Sequence, residues 1–555
     1  MKNNIRFSNL DRTKTIQELS KEAYDLVVIG GGITGGGIAL DAASRGLKVA
    51  LVEKGDFASG TSSKSTKLIH GGLRYLKQFD FWLVKEVGSE RAIVHKLAPH
   101  LVIPEKMLLP LIENGSYGKW LTSIGLQVYD ILAQVTGDDK RKMLENKEAL
   151  KLEPLLPKKI LKGAGYYAEY RTDDARLTIE TIKTSLRHGA KALNYAEVTD
   201  FIYDDNKVAG VIVNDVLSGN FFELKSKYVI SAAGPWVDDL RSVNNSKKGK
   251  RLHLTKGVHL VFPYEKLPIK QSVYFDIPDG RMMFAIPRGN ITYVGTTDTN
   301  FVNDKDDVEI DLADAIYLIS AVNNMFPKIN LEMEDIVSSW AGLRPLIHEE
   351  GKSASELSRK DEIFTSDTGL ISIAGGKLTG YRKMAERVVN RIAQKMEEDH
   401  NKEVGESTTA EISLCGSDFK KFKHVKKYIN EIYDRIKDDG FTKYNAWFLV
   451  TNYGIQTETI LDYYSKQKGD TNEVRMVLAE LRFGIDFEMV QNPMDFFIRR
   501  TGRLYFDIDS VRNLMNPILE EFKIIYKVDD GQLISWKEDL NTQIKEHSEF
   551  SMDRV

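Results

Sequence analysis

The sequence from Tyr24 to Gly37 reads YDLVVIGGGITGGG and indicates the fold class of the chain. It begins with a short apolar run, Leu26 to Ile29, of the kind that forms buried parallel strands. Three glycines follow, Gly30, Gly32 and Gly35, and they satisfy the pattern G-x-G-x-x-G. We therefore predict a strand that passes through a tight glycine turn into a helix.

A second strand completes this unit. The helix is expected to end at Gly46, and the apolar run Val49 to Val52 that follows ends in Glu53, about twenty residues after Gly32. Strand, glycine turn, helix, strand and acidic residue, in this order, form the fingerprint of a dinucleotide-binding fold. The alternative is a glycine-rich turn in an α/β domain that binds no cofactor.

Each residue of the fingerprint has a physical role. Gly30 permits the tight turn, Gly32 lets the backbone approach a pyrophosphate, and Gly35 lets the helix pack closely on the sheet. The N-terminus of the helix offers free N–H groups and the positive end of a dipole to the phosphates. Glu53 can accept hydrogen bonds from ribose hydroxyls. These four residues are the first predicted cofactor contacts.

Composition narrows the class of protein. The chain has 555 residues, 42% of them apolar and 28% charged, which is enough for roughly two to four domains. A net charge of −3 provides no positive field for nucleic acid, and the single cysteine, Cys415, excludes an internal disulfide. No His, Asp or Glu cluster has metal-ligand spacing, so no metal is predicted. The polar N-terminus and the lack of a long apolar run predict neither a secretory signal nor a membrane-spanning helix.

The segment after Glu53 favours FAD over a nicotinamide cofactor. Residues Asp56 to Tyr75 read DFASGTSSKSTKLIHGGLRY, where a simple Rossmann enzyme would continue with another crossover helix. This segment is rich in hydroxyl groups, which suits a loop that lies along an extended cofactor. We expect Thr61, Ser62 and Ser63 to contact that cofactor.

Two later strands also end in glycine turns. Tyr228 to Trp236 read YVISAAGPW, and Gly369 to Arg382 read GLISIAGGKLTGYR. Turns that return to one cofactor from distant parts of the chain suit FAD, whose ribityl chain and ring extend beyond the first turn. The predicted contacts from these turns are Gly234, Gly375, Gly376, Leu378 and Thr379. The cofactor domain is therefore expected to be discontinuous.

Several further motifs carry a family resemblance. They read SSKSTKLIHGGLRY, AAGPWVDDL, KGVHLVFP, VGTTDTN, WAGLRPL and GGKLTGYR. Together they resemble the bacterial FAD-dependent, respiratory (aerobic) glycerol-3-phosphate dehydrogenases, from about Tyr24 to the C-terminal RRTGRLYF block. The resemblance implies oxidation of sn-glycerol 3-phosphate to dihydroxyacetone phosphate in glycerol catabolism, with noncovalent FAD as cofactor.

The same resemblance implies an electron acceptor and a location. FAD would pass its electrons to a membrane quinone, so the enzyme is expected in the cytoplasm, peripherally bound to the inner face of the cell membrane. A homo-oligomer is one option for its assembly. Gly115 to Val135, with Trp120 and Tyr129, could lie in the lipid interface, although a buried core helix explains the same pattern.

A phosphate dianion needs several cationic donors, among them a planar arginine. The chain supplies five candidates, four of them within or beside glycine- or proline-rich turns: Arg74, Lys256, Arg344, Arg359 and Lys377. By resemblance, Arg74 and Lys377 would hold the substrate phosphate, and Arg344 would contact the glycerol hydroxyl region. Arg359 would assist, and Tyr75 could donate a hydrogen bond to the substrate.

Two histidines compete for the role of general base. His259, in KGVHL, can accept the C2 hydroxyl proton because a neutral imidazole is a competent base near pH 7. His70 is the rival, because it precedes the Gly-Gly turn beside the expected flavin ring. Arg344 could stabilise the developing alkoxide electrostatically.

The predicted fold class is α/β, with a doubly wound, Rossmann-like FAD-binding domain of the glutathione-reductase type, an antiparallel-sheet substrate domain and an all-α C-terminal domain. After an N-terminal extension, residues 1–23, the FAD-binding domain takes residues 24–80, 165–240 and 340–395. The substrate domain takes residues 81–164 and 241–339, and the helical domain takes residues 400–545.

Local patterns add detail to this outline. Phe201 to Lys227 alternate as a hairpin, which is expected to join residues 250–340 in the antiparallel sheet. TDDARL, Thr172 to Leu177, favours a helix cap or an arginine clamp. Apolar residues from Phe422 to Ile436 recur at helical spacing, so an amphipathic helix is expected to begin near Asp418 and end at Gly440.

Two other functions fit the same sequence. A glycerol-phosphate oxidase of this fold would pass electrons to oxygen and produce hydrogen peroxide, and the substrate end of its site would use the same residue types. A flavin-binding scaffold without turnover would carry the cofactor fingerprint but would not need the cations and histidines. The lack of an extra insertion favours the dehydrogenase over the oxidase.

Overall fold

The computed structural model describes residues 5–70, 81–113, 115, 140–348 and 361–550. In chain order its strands are β1 (Ala23–Ile29), β2 (Val49–Val52), β3 (Leu68–Ile69), β4 (Ile103–Ile112), β5 (Lys142–Glu145), β6 (Leu161–Arg171), β7 (Lys191–Leu193), β8 (Ala196–Asp204), β9 (Lys207–Asp215), β10 (Asn220–Ser231), β11 (Leu252–Pro263), β12 (Ser272–Asp276), β13 (Met282–Arg288), β14 (Ile291–Gly295), β15 (Thr299–Asn300), β16 (Ser338–Ile347), β17 (Asp361–Thr365) and β18 (Ile371–Gly375).

The helices interleave with these strands and then dominate the C-terminal part. They are α1 (Arg12–Ser20), α2 (Ile33–Ser44), α3 (Phe81–Leu97), α4 (Asn146–Leu152), α5 (Asp174–Arg187), α6 (Val237–Val243), α7 (Leu312–Met325), α8 (Tyr381–His400), α9 (Phe422–Ile436), α10 (Lys443–Tyr453), α11 (Thr457–Lys466), α12 (Asn472–Phe487), α13 (Arg503–Phe506), α14 (Ile508–Tyr526) and α15 (Asp530–Ser548). A π-helical segment, Asp495–Arg500, precedes α13.

The first sheet has a parallel centre in the order β18-β10-β1-β2-β7, with β17 antiparallel at one edge. The side chains of Leu26, Val27 and Val28 in β1 are fully buried, as expected for a strand covered on both faces. Helix α2 packs against α5 and α8 on this sheet. The predicted dinucleotide-binding fold is therefore confirmed, and its strands come from separate parts of the chain.

The predicted hairpin forms, but in a different place. Strands β8, β9 and β10 are a continuous antiparallel meander, and β10 also pairs with β1 and β18. The hairpin therefore extends the first sheet, and its expected pairing with residues 250–340 is wrong. Turn sequences predict that two strands pair with each other, but the sheet they join depends on long-range contacts.

The second sheet is largely antiparallel, in the order β15-β11-β14-β13-β12-β4-β6-β3, with β16 on β11 and β5 on β6. Among the described strands of this second sheet, only β4 and β12 pair in parallel. Strand β6 runs through the domain boundary predicted at residue 165, and β16 runs through the boundary predicted at residue 340. Each of these ladders is therefore continuous across the predicted boundary.

Helices make up all the regular structure described after residue 400. Helix α9 buries Val425, Ile429 and Ile432, which confirms its amphipathic pattern. It begins at Phe422, four residues after Asp418, and ends at Ile436, where a 3-10 turn, Lys437–Asp439, continues it to Gly440 with φ +88°. A positive φ at this position favours glycine, so the C-terminal limit was easier to predict than the start.

The TDDARL motif supplies both features expected of it. Asp173 caps α5 by accepting a hydrogen bond from the Arg176 N–H at 3.0 Å. The Arg176 guanidinium clamps the Glu488 carboxylate, with donor–acceptor distances of 2.6 and 2.8 Å. Because Glu488 follows α12, this buried clamp fixes the C-terminal helices against α5.

The N-terminal segment is packed into the fold. Helix α1 begins at Arg12, whose buried guanidinium lies 2.6 Å from Asp215 Oδ1. Asn9 donates a hydrogen bond to the Met489 carbonyl at 2.8 Å. The segment therefore contacts both the first sheet and the C-terminal part of the chain.

No helix in the described ranges combines the length and the apolar character that crossing a bilayer requires. Apart from Gly115, the segment considered for a lipid interface, Gly115 to Val135, falls outside the described residues. Its two candidate structures stay predictions.

Candidate active site

A cavity of about 870 Å³ is lined by residues of both sheets, and we call it the cofactor cavity. Its walls come from the glycine turn after β1, the loop after β2, the ends of β10 and β18, and the strands β11 and β16. Cavities of this size hold cofactors and drug-sized ligands. The three turns predicted to contact FAD therefore meet at one place.

The first glycine turn forms part of the cavity wall. Gly30 has φ +113°, and a Cβ there would lie 2.6 Å from the Ala232 carbonyl oxygen. Gly32 also lines the cavity. Gly35 does not, because its role is packing: a Cβ there would lie 1.8 Å from the Gly30 carbonyl oxygen. The backbone of this turn is therefore free to approach a ligand.

Glu53 lies at the end of β2 and faces the same cavity. Its carboxylate accepts hydrogen bonds from the N–H groups of Gly31, at 2.6 Å, and Gly55, at 2.9 Å. Burial raises the pKa of this carboxyl above its usual range. These bonds fix the carboxylate beside the glycine turn, where the fingerprint expects a ribose.

The hydroxyl-rich loop contributes two of its three predicted contacts. Thr61 and Ser62 line the cavity, and Ser62 Oγ accepts a hydrogen bond from the Ile33 N–H at 2.9 Å, at the N-terminus of α2. Ser63 is buried and is not among the residues that line the cavity, so its predicted contact stays a prediction. Its carbonyl accepts a hydrogen bond from Lys67. The 3-10 turn over these residues directs their side chains in different directions.

The two later turns also reach the cavity. Its lining includes all five residues predicted there, Gly234, Gly375, Gly376, Leu378 and Thr379. Thr379 Oγ1 lies 3.1 Å from both the backbone nitrogen and the carbonyl oxygen of His70. This contact ties the loop after β3 to the turn after β18.

His259 projects from β11 into the cavity wall and is 1% exposed. Its ring stacks on Trp340 at a centroid distance of 4.7 Å, and its Nε2 lies 3.0 Å from Thr66 Oγ1. Nδ1 has no hydrogen-bond partner among the described residues. Burial, with Arg344 and Lys67 nearby, holds the pKa of His259 well below its ordinary value. The imidazole is therefore neutral at pH 7.

Arg344 reaches the cavity from β16, the strand next to β11. Its guanidinium donates to Thr296 Oγ1 at 2.6 Å and to the Thr297 carbonyl at 3.0 Å. A Cβ at Gly257 would lie 2.2 Å from this guanidinium. The arginine therefore crosses the face of β11 at a position that only glycine leaves open.

The structure overturns the assignment of Lys256 to the substrate site. Its ammonium pairs with Asp311 at 2.8 Å and with Asp314 at 2.7 Å, and the residue does not line the cavity. Successive side chains of a strand point to opposite faces, so Lys256 and His259 cannot face the same side of β11.

The remaining site predictions divide into two groups. His70 and Lys377 line the cavity together with His259 and Arg344. Arg74, Tyr75 and Arg359 lie outside the described residues, so their roles stay predictions from the resemblance.

Other contacts of the site were not predicted. Thr66 holds the His259 ring, and Gly295 gives that ring space, because a Cβ there would lie 2.2 Å from the imidazole. The buried Lys67 pairs with Asp174 at 2.5 Å and fixes the loop that carries Thr66. The glycine in VGTTD was a visible signal for a close approach, but the partner could not be identified without the strand register.

Two known protein families match this chain, one before residue 400 and one after it. Residues 25–382 match the family described as FAD dependent oxidoreductase. Residues 407–532 match the family described as C-terminal domain of alpha-glycerophosphate oxidase.

Curated relatives match over nearly their whole length. The aerobic glycerol-3-phosphate dehydrogenase of Bacillus subtilis (strain 168) is 48% identical over 541 residues, covering 97% of this chain and 98% of that protein. The enzyme of the same name from Staphylococcus haemolyticus is 46% identical, covering 98% of each chain.

Solved structures agree with this match. The glycerol-3-phosphate dehydrogenase of Bacillus halodurans, complexed with FAD, superposes with a TM-score of 0.84 at 42% identity and covers 99% of each chain. The L-alpha-glycerophosphate oxidase of Mycoplasma pneumoniae reaches a TM-score of 0.55 at 20% identity, covering 70% of this chain and 97% of that one. The second likeness shows a common fold only.

Proposed function

Because the chain belongs to the family of FAD-dependent oxidoreductases that includes the aerobic glycerol-3-phosphate dehydrogenases, we propose that it oxidises sn-glycerol 3-phosphate to dihydroxyacetone phosphate and passes the electrons to a membrane quinone. Its membership of this family confirms the resemblance seen in the motifs. The single observation that carries the proposal is the shared cavity: the dinucleotide fingerprint and the four polar residues His70, His259, Arg344 and Lys377 line the same space.

The residues of the cavity fit FAD. The backbone at Gly30 and Gly32 is open to a pyrophosphate, the N-terminus of α2 offers N–H groups, and Glu53 stands where a ribose would bind. Ser62 and Thr379 would add hydroxyl contacts farther along the cavity. When bound, FAD supplies the two-electron oxidation of the substrate carbinol.

Substrate binding is assigned to the cations of the cavity. Lys377 would hold the phosphate, and Arg344 is already oriented by Thr296 and Thr297, so little side-chain freedom is lost when it binds a ligand. Arg74 and Arg359 complete this proposal on the basis of the resemblance. Several cations around one dianion suit a phosphate ester better than a carboxylate substrate.

His259 is the proposed acceptor of the C2 hydroxyl proton. Its neutral ring is ready to take a proton at pH 7, and a substrate dianion nearby would raise its pKa and strengthen it as a base. The positive charge of Arg344 would stabilise the alkoxide as the proton leaves. His70 stays the alternative base because it lines the same cavity.

An anaerobic flavin titration tests the proposal. The purified holoenzyme is mixed with sn-glycerol 3-phosphate, and the absorbance of the oxidised flavin is followed. We expect rapid bleaching with this substrate and none with glycerol. An unbleached flavin would contradict the substrate assignment.

Reoxidation of the bleached enzyme tests the electron acceptor. A quinone acceptor predicts slow recovery in air and fast recovery with a soluble quinone. Fast recovery in air with formation of peroxide would identify an oxidase. Because long-chain quinones dissolve in the bilayer, the proposal also places the enzyme at the cytoplasmic membrane surface, and faster turnover with quinone-loaded vesicles than with empty vesicles is expected.

A further inference from the structure

The loop between β15 and α7, residues 301–311, crosses from the second sheet to the cofactor-binding fold. Three of its residues, Lys305, Asp306 and Val308, line the cofactor cavity. Through Asp306 this loop reaches Lys54, the residue after Glu53. We call this loop the strap.

Both ends of the strap are fixed to β11. At its start, Thr255 pairs with Asn300, and the Phe301 N–H donates to the Leu254 carbonyl at 2.9 Å. At its end, the ammonium of Lys256 pairs with Asp311 and Asp314, at the N-terminus of α7. The lysine wrongly assigned to the substrate is thus the anchor of this loop.

The tip of the strap is held by two ion pairs of opposite polarity. Lys54 Nζ lies 2.7 Å from Asp306 Oδ1, and Lys305 on the strap pairs with Asp239 in α6. The strap therefore supplies the cation of one pair, Lys305, and the anion of the other, Asp306. Lys54 also lies over the ring of Trp236, 4.4 Å from its centroid, and Trp236 lines the cavity.

The base and the tip of the strap differ in exposure. At the base, Lys256 and Asp314 are 11% and 6% exposed, and the second partner of Lys256, Asp311, is 44% exposed. At the tip, the exposed fractions are 36% for Lys54, 60% for Asp306, 24% for Lys305 and 52% for Asp239. Ion pairs this exposed are individually weak and are screened by salt. The loop is therefore firmly attached at its base and weakly held at its tip.

We propose that residues 301–311 form an ionic strap that closes over the bound dinucleotide beside Glu53, and that Lys305 and Asp306 are positioning residues that slow the release of FAD. Opening the tip breaks the two tip pairs, while the base, with Val308 and Ile310 packed against a hydrophobic core cluster, stays in place. The inference rests on FAD binding alone and needs neither the proposed substrate nor the quinone acceptor.

Charge reversal and charge exchange test the strap directly. Lys305→Asp or Asp239→Lys places two like charges at the tip, and we expect FAD to leave about 3- to 10-fold faster at low salt. The double variant Lys305→Asp/Asp239→Lys restores an ion pair, so its rate should return to within about twofold of the wild-type rate. The measurement dilutes the holoenzyme into an excess of an apoflavoprotein that traps free FAD and follows the flavin fluorescence.

Salt dependence provides a second measurement. Wild-type release should accelerate between about 0.02 and 0.5 M NaCl as the tip pairs are screened. The variant Lys54→Met/Lys305→Met should release FAD quickly and with little response to salt. Melting temperatures of the apoproteins, measured by circular dichroism, show whether the variants fold normally.

Lys96→Glu is the matched control. It breaks an exposed pair with Glu411, 2.6 Å long, between two segments that do not line the cavity, so the release of FAD should keep its wild-type rate. The proposal is overturned if single reversals release FAD at the wild-type rate, if the exchange of charges does not restore that rate, or if wild-type release is independent of salt.

Discussion

The surroundings of His259 suit the proton transfer proposed for it. Trp340 covers one face of its ring, Thr66 holds Nε2, and Gly295 leaves space beside the imidazole. No acidic partner stabilises the imidazolium among the groups that shift its pKa, which are burial, Arg344 and Lys67. We therefore expect His259 to accept a proton more readily while the substrate dianion is bound nearby.

Replacing the base tests this assignment. His259→Asn keeps a polar group of similar size but cannot accept the proton, so we expect kcat to fall by roughly 10²–10⁴. Steady-state kinetics with a soluble quinone measures the effect, and His70→Asn is the paired variant. A normal kcat in His259→Asn with a large loss in His70→Asn would move the role of base to His70.

Variants of Lys256 and Lys377 distinguish a cation that stabilises the fold from one that binds substrate. In Lys256→Met, Asp314 stays buried without its partner, so the free energy of unfolding should fall by about 3 kcal/mol. The KM for sn-glycerol 3-phosphate should not change. Lys377→Met supplies the contrast, with a raised KM expected. Urea unfolding and steady-state kinetics measure the two effects, and a raised KM in Lys256→Met would return this lysine to the substrate site.

The turn from β1 to α2 is held in shape by close contacts between backbone atoms. Gly35 contacts the Gly30 carbonyl, and Gly30 contacts the carbonyl of Ala232 at the end of β10. Neither contact leaves room for a side chain. Because glycines occupy these positions, two strands and one helix pack closely, and the backbone at Gly30 and Gly32 stays accessible to a pyrophosphate.

A single methyl group should disrupt this element. In Gly35→Ala the new Cβ would lie 1.8 Å from the Gly30 carbonyl oxygen, so the turn must open, and we expect FAD binding to weaken by about tenfold or more. Gly405→Ala is the control, because a Cβ there meets no atom within 4 Å. Titration of the apoproteins with FAD measures both. Unchanged affinity in Gly35→Ala would show that the turn tolerates the shift.

Elements with a local cause could be predicted from the sequence, and elements with a distant cause could not. The strand, turn and helix around Gly30 follow from consecutive residues, and so does the buried face of α9. The hairpin at β8 and β9 was predicted, but its sheet was not, because long-range pairing decides it.

The site shows the same division. His259, Arg344 and Lys377, which were predicted from their motifs, line the cavity, whereas Lys256, in the same motif as His259, does not. The alternation of β11 contained the signal that would have separated them. The role of Thr66 depends on a contact between residues far apart in the chain, and no local pattern identifies it.

At the scale of the whole molecule, buried charges join the C-terminal helices to the cofactor-binding fold. The Asp56 carboxylate, three residues after Glu53, accepts hydrogen bonds from Arg500 at 2.7 and 2.8 Å and also pairs with Arg499. The Arg500 side chain also donates to the Glu488 carbonyl at 2.7 Å. Asp56, Glu488 and Arg500 are buried, so each of these groups depends on its partners.

A buried histidine should make the fold sensitive to acid. His100 is fully buried, neither ring nitrogen has a partner among the described residues, and burial with Arg176 and Lys183 nearby lowers its pKa to about 3. Below about pH 6.5 this histidine binds a proton in the unfolded chain but not in the folded chain. The free energy of unfolding therefore decreases as the pH is lowered from about 6.5 to about 3.

The variant His100→Leu should remove this contribution. As the pH is lowered below about 6, the free energy of unfolding of the variant should decrease less steeply than that of the wild type. The two slopes should differ by about 1.4 kcal/mol per pH unit. Urea unfolding at several pH values measures the difference. The exposed His424 supplies the control variant, His424→Leu, with a wild-type slope expected. Parallel slopes for His100→Leu and the wild type would contradict the prediction.

The Arg500–Asp56 contact should decide whether the two parts of the chain unfold together. Arg500→Met leaves Asp56 buried with one arginine fewer, and breaking such a pair typically destabilises by about 3–5 kcal/mol. We expect the C-terminal helices to separate first, so protease should cut the connection between α8 and α9, residues 401–421, before FAD is released. Arg512→Met, which breaks an exposed pair with Asp509, is the control, because exposed pairs contribute little. If the wild type and Arg500→Met both unfold in one transition at the same urea concentration, the contact does not couple the two parts, and their apolar packing must do so.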